Sequence, residues 1–401
     1  MNFFVTPHFA AMPYTFAMPS RDSTSNGPSG HRAPQGPSLW NRLSEGRRID
    51  ELWSQFTADA RASYGFYGKD VDWEEIGKLA WWRRPLPVAR AMFTAMLYKL
   101  TAARRVLLVV ALVMLVMSGF KFEFPGKSTI EVRFELFAAL IFLFLLSLEL
   151  ADKVTMKRDL EIAREIQSWL VPSEAPVVPN ADVAFATRPQ NSVAGDYYDA
   201  FYPLGNSGGS EKLFLVIADV AGKSIPAALL MATFQASLRT IAGEGVPLAE
   251  LVLRLNRYAT AHSLDGRRFT TALLAEYDPA TRHLEYINAG HNNPILKRKD
   301  GTIERLDIGG VPLGIEPGSQ YQIGSANLAS GDLLVLFTDG MVDAFNHTGE
   351  EFGDPRLIAC VKMLQGHNAQ QSMQYLMQQV DNFVGATRQF DDITCLVLRC
   401  Q

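Results

Sequence analysis

Cysteine is nearly absent from this chain. Among 401 residues only Cys360, Cys395 and Cys400 occur, and their spacing fits neither a zinc site nor a redox motif. A disulfide framework is thereby excluded, and free thiols suit a reducing compartment. Histidine is equally sparse, with seven scattered residues and no pair at metal-ligand spacing. That removes the zinc reading. Positive charge is not in excess either: 38 Lys and Arg against 42 Asp and Glu leave a net charge of −4. Basic residues pool only near Arg104, which argues against a nucleic-acid binder. No apolar run reaches the roughly 18 uninterrupted residues that make a spanning helix secure. Nor is a secretory signal peptide expected. The start "MNFFVTPHFAAMPYTF" has no basic residue ahead of its apolar part and carries prolines within it.

What is present changes character along the chain. Residues 1–39 are rich in Pro, Ser, Gly and Asn without sustained periodicity, so the composition predicts disorder. Residues 40–103 turn helical and amphipathic, with "WWRRPLP" as an interfacial break, since Trp and Arg favour headgroup level. Two apolar runs follow, "VLLVVALVMLVMSGF" (106–120) and "LFAALIFLFLLSL" (136–148). One reading is a pair of buried helices in a soluble domain. Against it, both runs are apolar all round, and flanking Arg104, Arg105, Arg133, Lys153 and Glu149 can snorkel to extend each span. A membrane hairpin over 104–150, with helices at about 104–120 and 134–150, is the reading favoured. Basic residues outnumber those of the linker at the outer ends, so both termini are expected in the cytoplasm.

Residues 151–171 then read as a charged linker helix. Leu150, Val154, Leu160, Ala163, Ile166 and Leu170 allow an apolar stripe, either a dimeric coiled coil or a face packed on the next domain. Prolines in "VPSEAPVVP" end it. The remainder, 172–401, reads as one α+β domain. Strands are expected at "LFLVIADV", "TTALLAEYD", "HLEYINAG", "DLLVLFTDG" and "DDITCLVLR". Helices fit "PAALLMATFQASLRTIA", "LAELVLRLNRYATAH" and "QQSMQYLMQQVDNFV".

Aspartates recur at the ends of those strands. Asp219 closes "LFLVIA", Asp339 closes "LLVLFT", Asp391 and Asp392 open "ITCLVLR", and Asp196 follows Gly195 in "SVAGDYYDAF". Each alone has an ordinary explanation, because Asp favours turns and caps. Together at the mouths of apolar strands they would repel one another unless a cation neutralised them. An all-oxygen environment of this kind suits the hard ions Mg²⁺ and Mn²⁺.

In order, "VAGDYYDAF", "IADVAGKSIPAALLMA", "FTTALLAEYDP", "INAGHNNP", "GGVPLGI", "LLVLFTDGMVDAFN" and "DDITCLVL" resemble the PPM-type metal-dependent serine/threonine phosphatases. The match is with the bacterial branch named after the stage II sporulation protein E. It covers about 160–399, because "LEIAREIQSWLVP" is similar to the helix that precedes such domains. The resemblance implies a central β-sandwich with helices on both outer faces, and two metal ions in a cleft at one end. It implies Asp196, Asp219 with the Val220 backbone carbonyl, Asp339 and Asp391 as ligands, with Asp392 the second choice to Asp391. Gly195 is expected to let the backbone turn tightly beside the metals. Tyr197 and Tyr198 are expected to pack alternately into the sandwich and against the cleft wall, and Asp199 to serve an outer shell or a turn. Arg188 is the candidate for phosphate contact. His291 is given a structural turn rather than acid catalysis.

The reading these features carry is a multi-pass inner-membrane phosphatase with its catalytic domain in the cytoplasm. It would use Mn²⁺ or Mg²⁺ to hydrolyse phosphoserine or phosphothreonine on a regulatory protein, such as an anti-sigma-factor antagonist. A homodimer through 150–170 is expected, and no nucleic acid. A non-catalytic docking module is the alternative, and the complete carboxylate set speaks against it. A membrane scaffold with an incidental α+β domain would leave the acidic strand ends unexplained.

Overall fold

The computed structural model describes residues 83–118, 122–123, 129–130, 133–203, 212–263 and 268–401, with 68 and 76. The expected disorder of 1–39 and most of the amphipathic stretch 40–103 lie outside the described residues. The chain divides into two compact units, Met1–Leu145 and Leu146–Gln401.

In the first unit α1 (Pro85–Lys99) begins on a proline, which fits a first turn whose N–H groups have no partner. The Arg105 guanidinium caps its far end, donating to the carbonyls of Leu97 (3.0 Å) and Leu100 (3.2 Å). Arg105 belongs to α2 (Ala102–Met117), which carries the first apolar run. The short strands β1 (Phe122–Glu123) and β2 (Thr129–Ile130) then pair antiparallel.

The second apolar run does not stop where the charged segment begins. Both lie in one helix, α3 (Phe134–Leu170), of 37 residues. At 1.5 Å per residue it is about 55 Å long. No proline or glycine interrupts it until Pro172. Among the described residues two helices are long and apolar enough to cross a membrane: α3 and α4 (Ile225–Gly243). The second is a core helix, with Met231, Phe234, Leu238 and Ala242 buried against a sheet.

The second unit is built on two sheets. The first orders β4 (Tyr197–Phe201), β5 (Leu213–Val220), β6 (Thr270–Asp278) and β7 (His283–Ala289), with β10 (Gly309–Gly310) and β11 (Gly324–Asn327) sharing the far edge of β7. The second runs β3 (Ala181–Arg188), β13 (Ile393–Cys400), β12 (Leu333–Phe337), β8 (Ile295–Lys297), β9 (Ile303–Arg305).

Side-chain alternation explains the stacking. From β5, Leu213, Leu215 and Ile217 meet Leu334, Leu336, Leu396 and Leu398 of the other sheet. Their neighbours Phe214, Val216 and Ala218 face outward, against Met231 and Leu238 of α4 and Leu251 of α5 (Leu248–Ala261). In the second sheet Leu333, Val335 and Phe337 pack outward on Leu357 of α7 (Gly353–Met363) and Leu376 of α8 (Ala369–Val384). Strands buried on both faces read as continuous apolar runs. The result is the helix–sheet–sheet–helix sandwich that the resemblance implied.

Candidate active site

Strand pairing brings the aspartates to one end. In the first sheet Tyr197 of β4 lies opposite Ala218 of β5, so Asp196 and Asp219 are the next residues along the two strands. In the second sheet Phe337 of β12 lies opposite Cys395 of β13. Two residues beyond Phe337, Asp339 opens the single turn α6 (Asp339–Val342). It therefore sits beside the start of β13, where Asp391 and Asp392 lead in. The electrostatics place all of them together: Asp219 feels the charges of Asp339, Asp391 and Asp392, and Asp196 feels those of Asp219 and Asp392.

Asp196 reaches from one sheet to the other. Its Oδ2 accepts from the hydroxyls of Thr338 (2.8 Å) and Thr394 (2.6 Å). The Thr338 Oγ1 accepts in turn from the Thr394 backbone N–H (3.0 Å), and Thr187 stands 2.9 Å from the Thr394 hydroxyl. A buried carboxylate is thus held at one oxygen by Thr338, just past β12, and Thr394 of β13, with Thr187 of β3 behind Thr394. Thr338 and Thr394 are functional residues that strand-end aspartates alone did not single out. Their signal was a polar residue continuing an otherwise apolar strand on each side.

Gly195 is not needed for a left-handed turn, since its φ is not positive. Its reason is close approach. A Cβ there would stand 3.2 Å from the Val220 carbonyl oxygen, 3.1 Å from the Ala227 Cβ and 3.8 Å from Asp219 Oδ1. The chain does bend at Gly195, and what calls for glycine there is the crowding beside Val220 and Asp219.

Asp391 and Asp392 diverge. Both oxygens of Asp392 accept backbone N–H groups, from Gln190 (2.7 Å) and Gly195 (2.6 Å). Asp391 instead meets Lys223, whose Nζ donates to its Oδ2 (3.0 Å) and to the Phe390 carbonyl (2.8 Å). Asp391 is therefore the carboxylate paired with the Lys223 side chain, and Asp392 the one tying down the 190–196 loop.

The donor set fits a hard divalent ion in its chemistry. All donors are oxygens. Burial, then the charges of Asp339, Asp391 and Asp392, push Asp219 up to about 7, with Lys223 opposing. Burial and the Asp391 charge likewise raise Asp339, and burial and Asp219 raise Asp196. A bound cation would relieve that repulsion. Among the described residues no three His, Cys, Asp or Glu side chains already converge on one coordination point. Asp196 is held by Thr338 and Thr394, and Asp391 by Lys223.

Comparison with known proteins agrees with this geometry. Residues 209–401 match the family model of Stage II sporulation protein E (SpoIIE). Over these residues the chain is similar to the SpoIIE family. By sequence the chain is similar to Protein IcfG of Synechocystis, 28% identical over 280 residues, covering 63% of this chain and 43% of that one. It is also similar to phosphoserine phosphatase RsbU of Bacillus subtilis, 28% identical over 247 residues, covering 61% of this chain and 70% of RsbU. The chain thus spans less than half the length of IcfG. In fold it is similar to the SiaA-PP2C domain of Pseudomonas aeruginosa, with a TM-score of 0.54 and 20% identity over 63% of this chain and 99% of that one.

Three expectations change within this domain. Arg188, the candidate for phosphate contact, gives Nη1 to Asp381 of α8, so its charge is already matched. It lines a cavity with Gly340, Arg388 and Asp391. Asp199 is no turn residue. It lies in mid-β4, fully buried, paired with Arg239 of α4 through both oxygens (2.8 and 3.0 Å) and accepting from the Tyr197 hydroxyl. Tyr197 faces the helices, edge-on to Phe234 at 5.7 Å, and Tyr198 turns to Phe185 of β3 at 4.9 Å. The alternation stands, but neither ring's main partner is a wall of the cleft.

His291 is buried, its Nδ1 2.9 Å from the Thr271 hydroxyl. Burial pulls its pKa down to about 4, against a weaker opposing effect of the Phe337 carbonyl. A neutral imidazole locked in the 288–291 turn, where Asn288 Oδ1 accepts from the His291 N–H (2.7 Å), is a structural part.

Proposed function

We propose that the chain is a membrane-anchored, metal-dependent phosphatase that removes phosphate from phosphoserine or phosphothreonine on a regulatory protein. One observation carries this reading: carboxylates from both sheets gather at one end with their pKa values raised by burial and by one another. Similarity to a phosphoserine phosphatase supports the reaction class. Asp196, Asp219, the Val220 carbonyl, Asp339 and Asp391 would hold two ions, Mn²⁺ or Mg²⁺. Bound there, such ions supply an acidified water and positive charge against the phosphoryl oxygens. The protein's own part is orientation. Thr338 and Thr394 fix one oxygen of Asp196 and leave the other free of them. The Asp392 carboxylate anchors the loop that presents Asp196.

The proposal extends to place and partners. Exposed apolar residues on α2 and the first half of α3, among them Val113, Val116, Leu140 and Phe144 at 54 to 70% exposure, favour a lipid environment. Basic residues at the outer ends favour cytoplasmic termini and a cytoplasmic catalytic domain in the inner membrane. An anti-sigma-factor antagonist type of protein is the substrate class this implies, and exposed Val154 and Ile166 offer a seam for a homodimer.

The direct test uses the full chain in mild detergent with a phosphoserine peptide. Hydrolysis is expected with Mn²⁺ or Mg²⁺ and not after chelation. Asp339→Asn should stay folded and lose at least about 100-fold in turnover, since even residues behind metal ligands are worth 10–100-fold. No hydrolysis by the wild type under either metal would leave the docking-module reading standing.

A further inference from the structure

We infer that Gln167, in the last turn of α3, is a positioning residue for Asp196, gripping the backbone one residue ahead of Gly195 and so coupling the end of α3 to the candidate metal cleft. This rests on the phosphatase reading above and names the lever that acts on that site.

The contact is reciprocal. Gln167 Nε2 donates to the Ala194 carbonyl (2.7 Å), and its Oε1 accepts from the Ala194 N–H (2.9 Å). Using both ends of one amide fixes the orientation of the Ala194 peptide groups as well as their distance. The next N–H along, that of Gly195, goes to Asp392 Oδ2. Residues 194 and 195 are therefore held from two directions, by α3 on one side and by the lead-in to β13 on the other. Asp196 follows directly.

The loop needs such bracing. Residues 189–196 belong to no helix or strand, yet Val193, Ala194, Gly195 and Asp196 are buried. Ser192, Ala194 and Asp196 border an open groove of about 300 Å³, lined also by Arg164, Gln167 and Met231. On the side of that groove the Gln167 amide supplies the loop's hydrogen bonds. A rotation or slide of α3 carries the Gln167 amide with it, and the Ala194–Asp196 segment must follow or lose both bonds.

The test measures Mn²⁺ binding by calorimetry on the full chain in detergent, without substrate, alongside turnover and thermal melting. Binding is read well below the melting temperature, where a merely structural contact leaves affinity untouched. Gln167→Ala is expected to weaken Mn²⁺ binding about tenfold, the scale seen for groups that orient metal ligands. Gln167→Glu keeps the acceptor for the Ala194 N–H but sets a carboxylate oxygen against the Ala194 carbonyl, so at least as large a weakening is expected, and it serves if the alanine variant does not fold. Ser168→Ala is the control: that hydroxyl bonds only the Glu165 carbonyl (2.7 Å), and affinity should not change. Wild-type affinity in folded Gln167 variants overturns the inference, whatever their melting temperature. So does equal weakening by Ser168→Ala. If the wild type binds no Mn²⁺, the phosphatase reading itself has failed and this inference falls with it.

Discussion

Asp392 accepts two backbone N–H groups with its two oxygens, whereas Asp391 meets the side-chain cation of Lys223. Adjacent identical residues therefore have separable roles. In Asp392→Asn, the new NH₂ must face one of the N–H donors it now serves. Hydrogen bonds to charged groups are worth about 1.5–3 kcal/mol, and a loss of that order is expected in denaturant unfolding. Asp391→Asn should cost little stability, because its partner Lys223 is 58% exposed and exposed pairs contribute about 0–1 kcal/mol. It should lose metal-dependent turnover instead. The reverse pattern, with Asp391→Asn the destabilised variant and Asp392→Asn the inactive one, would reassign the ligand. At this scale the aspartates were legible because carboxylates at strand mouths are unusual in an apolar context. Thr338, Thr394, Lys223 and Gln167 were not, because each acts on a residue between 27 and 198 positions away. Spacing within one motif holds no trace of such partners.

Among the elements, the strands buried on both faces announced themselves. β12, and β5 up to Ala218, are unbroken apolar runs, and β6 and β13 are apolar through their middles, because sheet packs on one side and helix on the other. β8 to β11, at two to four residues each, are too short for a period to show. α3 was read as two pieces because composition changes from apolar to charged near Leu150, yet backbone hydrogen bonding runs through that change. One consequence concerns assembly. Val154 and Ile166 are 59% and 50% exposed, whereas Leu160, Ala163 and Leu170 are half-buried. If two α3 helices pair along the exposed part, Ile166→Asp places a charge in an apolar seam and should weaken the dimer. Sedimentation equilibrium of the full chain in density-matched detergent reads this directly. A wild type that stays monomeric at tens of micromolar removes the seam.

For the molecule as a whole, the sequence pattern sets up an orientation that labelling can decide. Outside the two apolar runs stand Lys99, Arg104, Arg105, Lys153, Lys157 and Arg158, against fewer basic residues in the linker 121–133. Cytoplasmic flanks collect Lys and Arg, so the linker is expected on the far side of the membrane and the SpoIIE-like domain inside. α2, at 16 residues, is short for a bilayer core of about 30 Å. If it spans, Arg104 at its start would reach headgroup level by snorkelling. The native thiols interfere little, since Cys395 and Cys400 are buried and Cys360 is removable as Cys360→Ser. In that background Ser128→Cys, in the linker, should react with an impermeant maleimide on intact cells. Ser173→Cys, just beyond α3, should react only after lysis. Labelling at Ser173→Cys alone would invert the topology and put the carboxylate cleft outside, away from cytoplasmic phosphoproteins. Labelling of neither before lysis, with release of the chain by alkaline carbonate, would show that α2 and α3 do not span at all. The apolar faces of Leu140 and Phe144 would then need a protein cover rather than lipid.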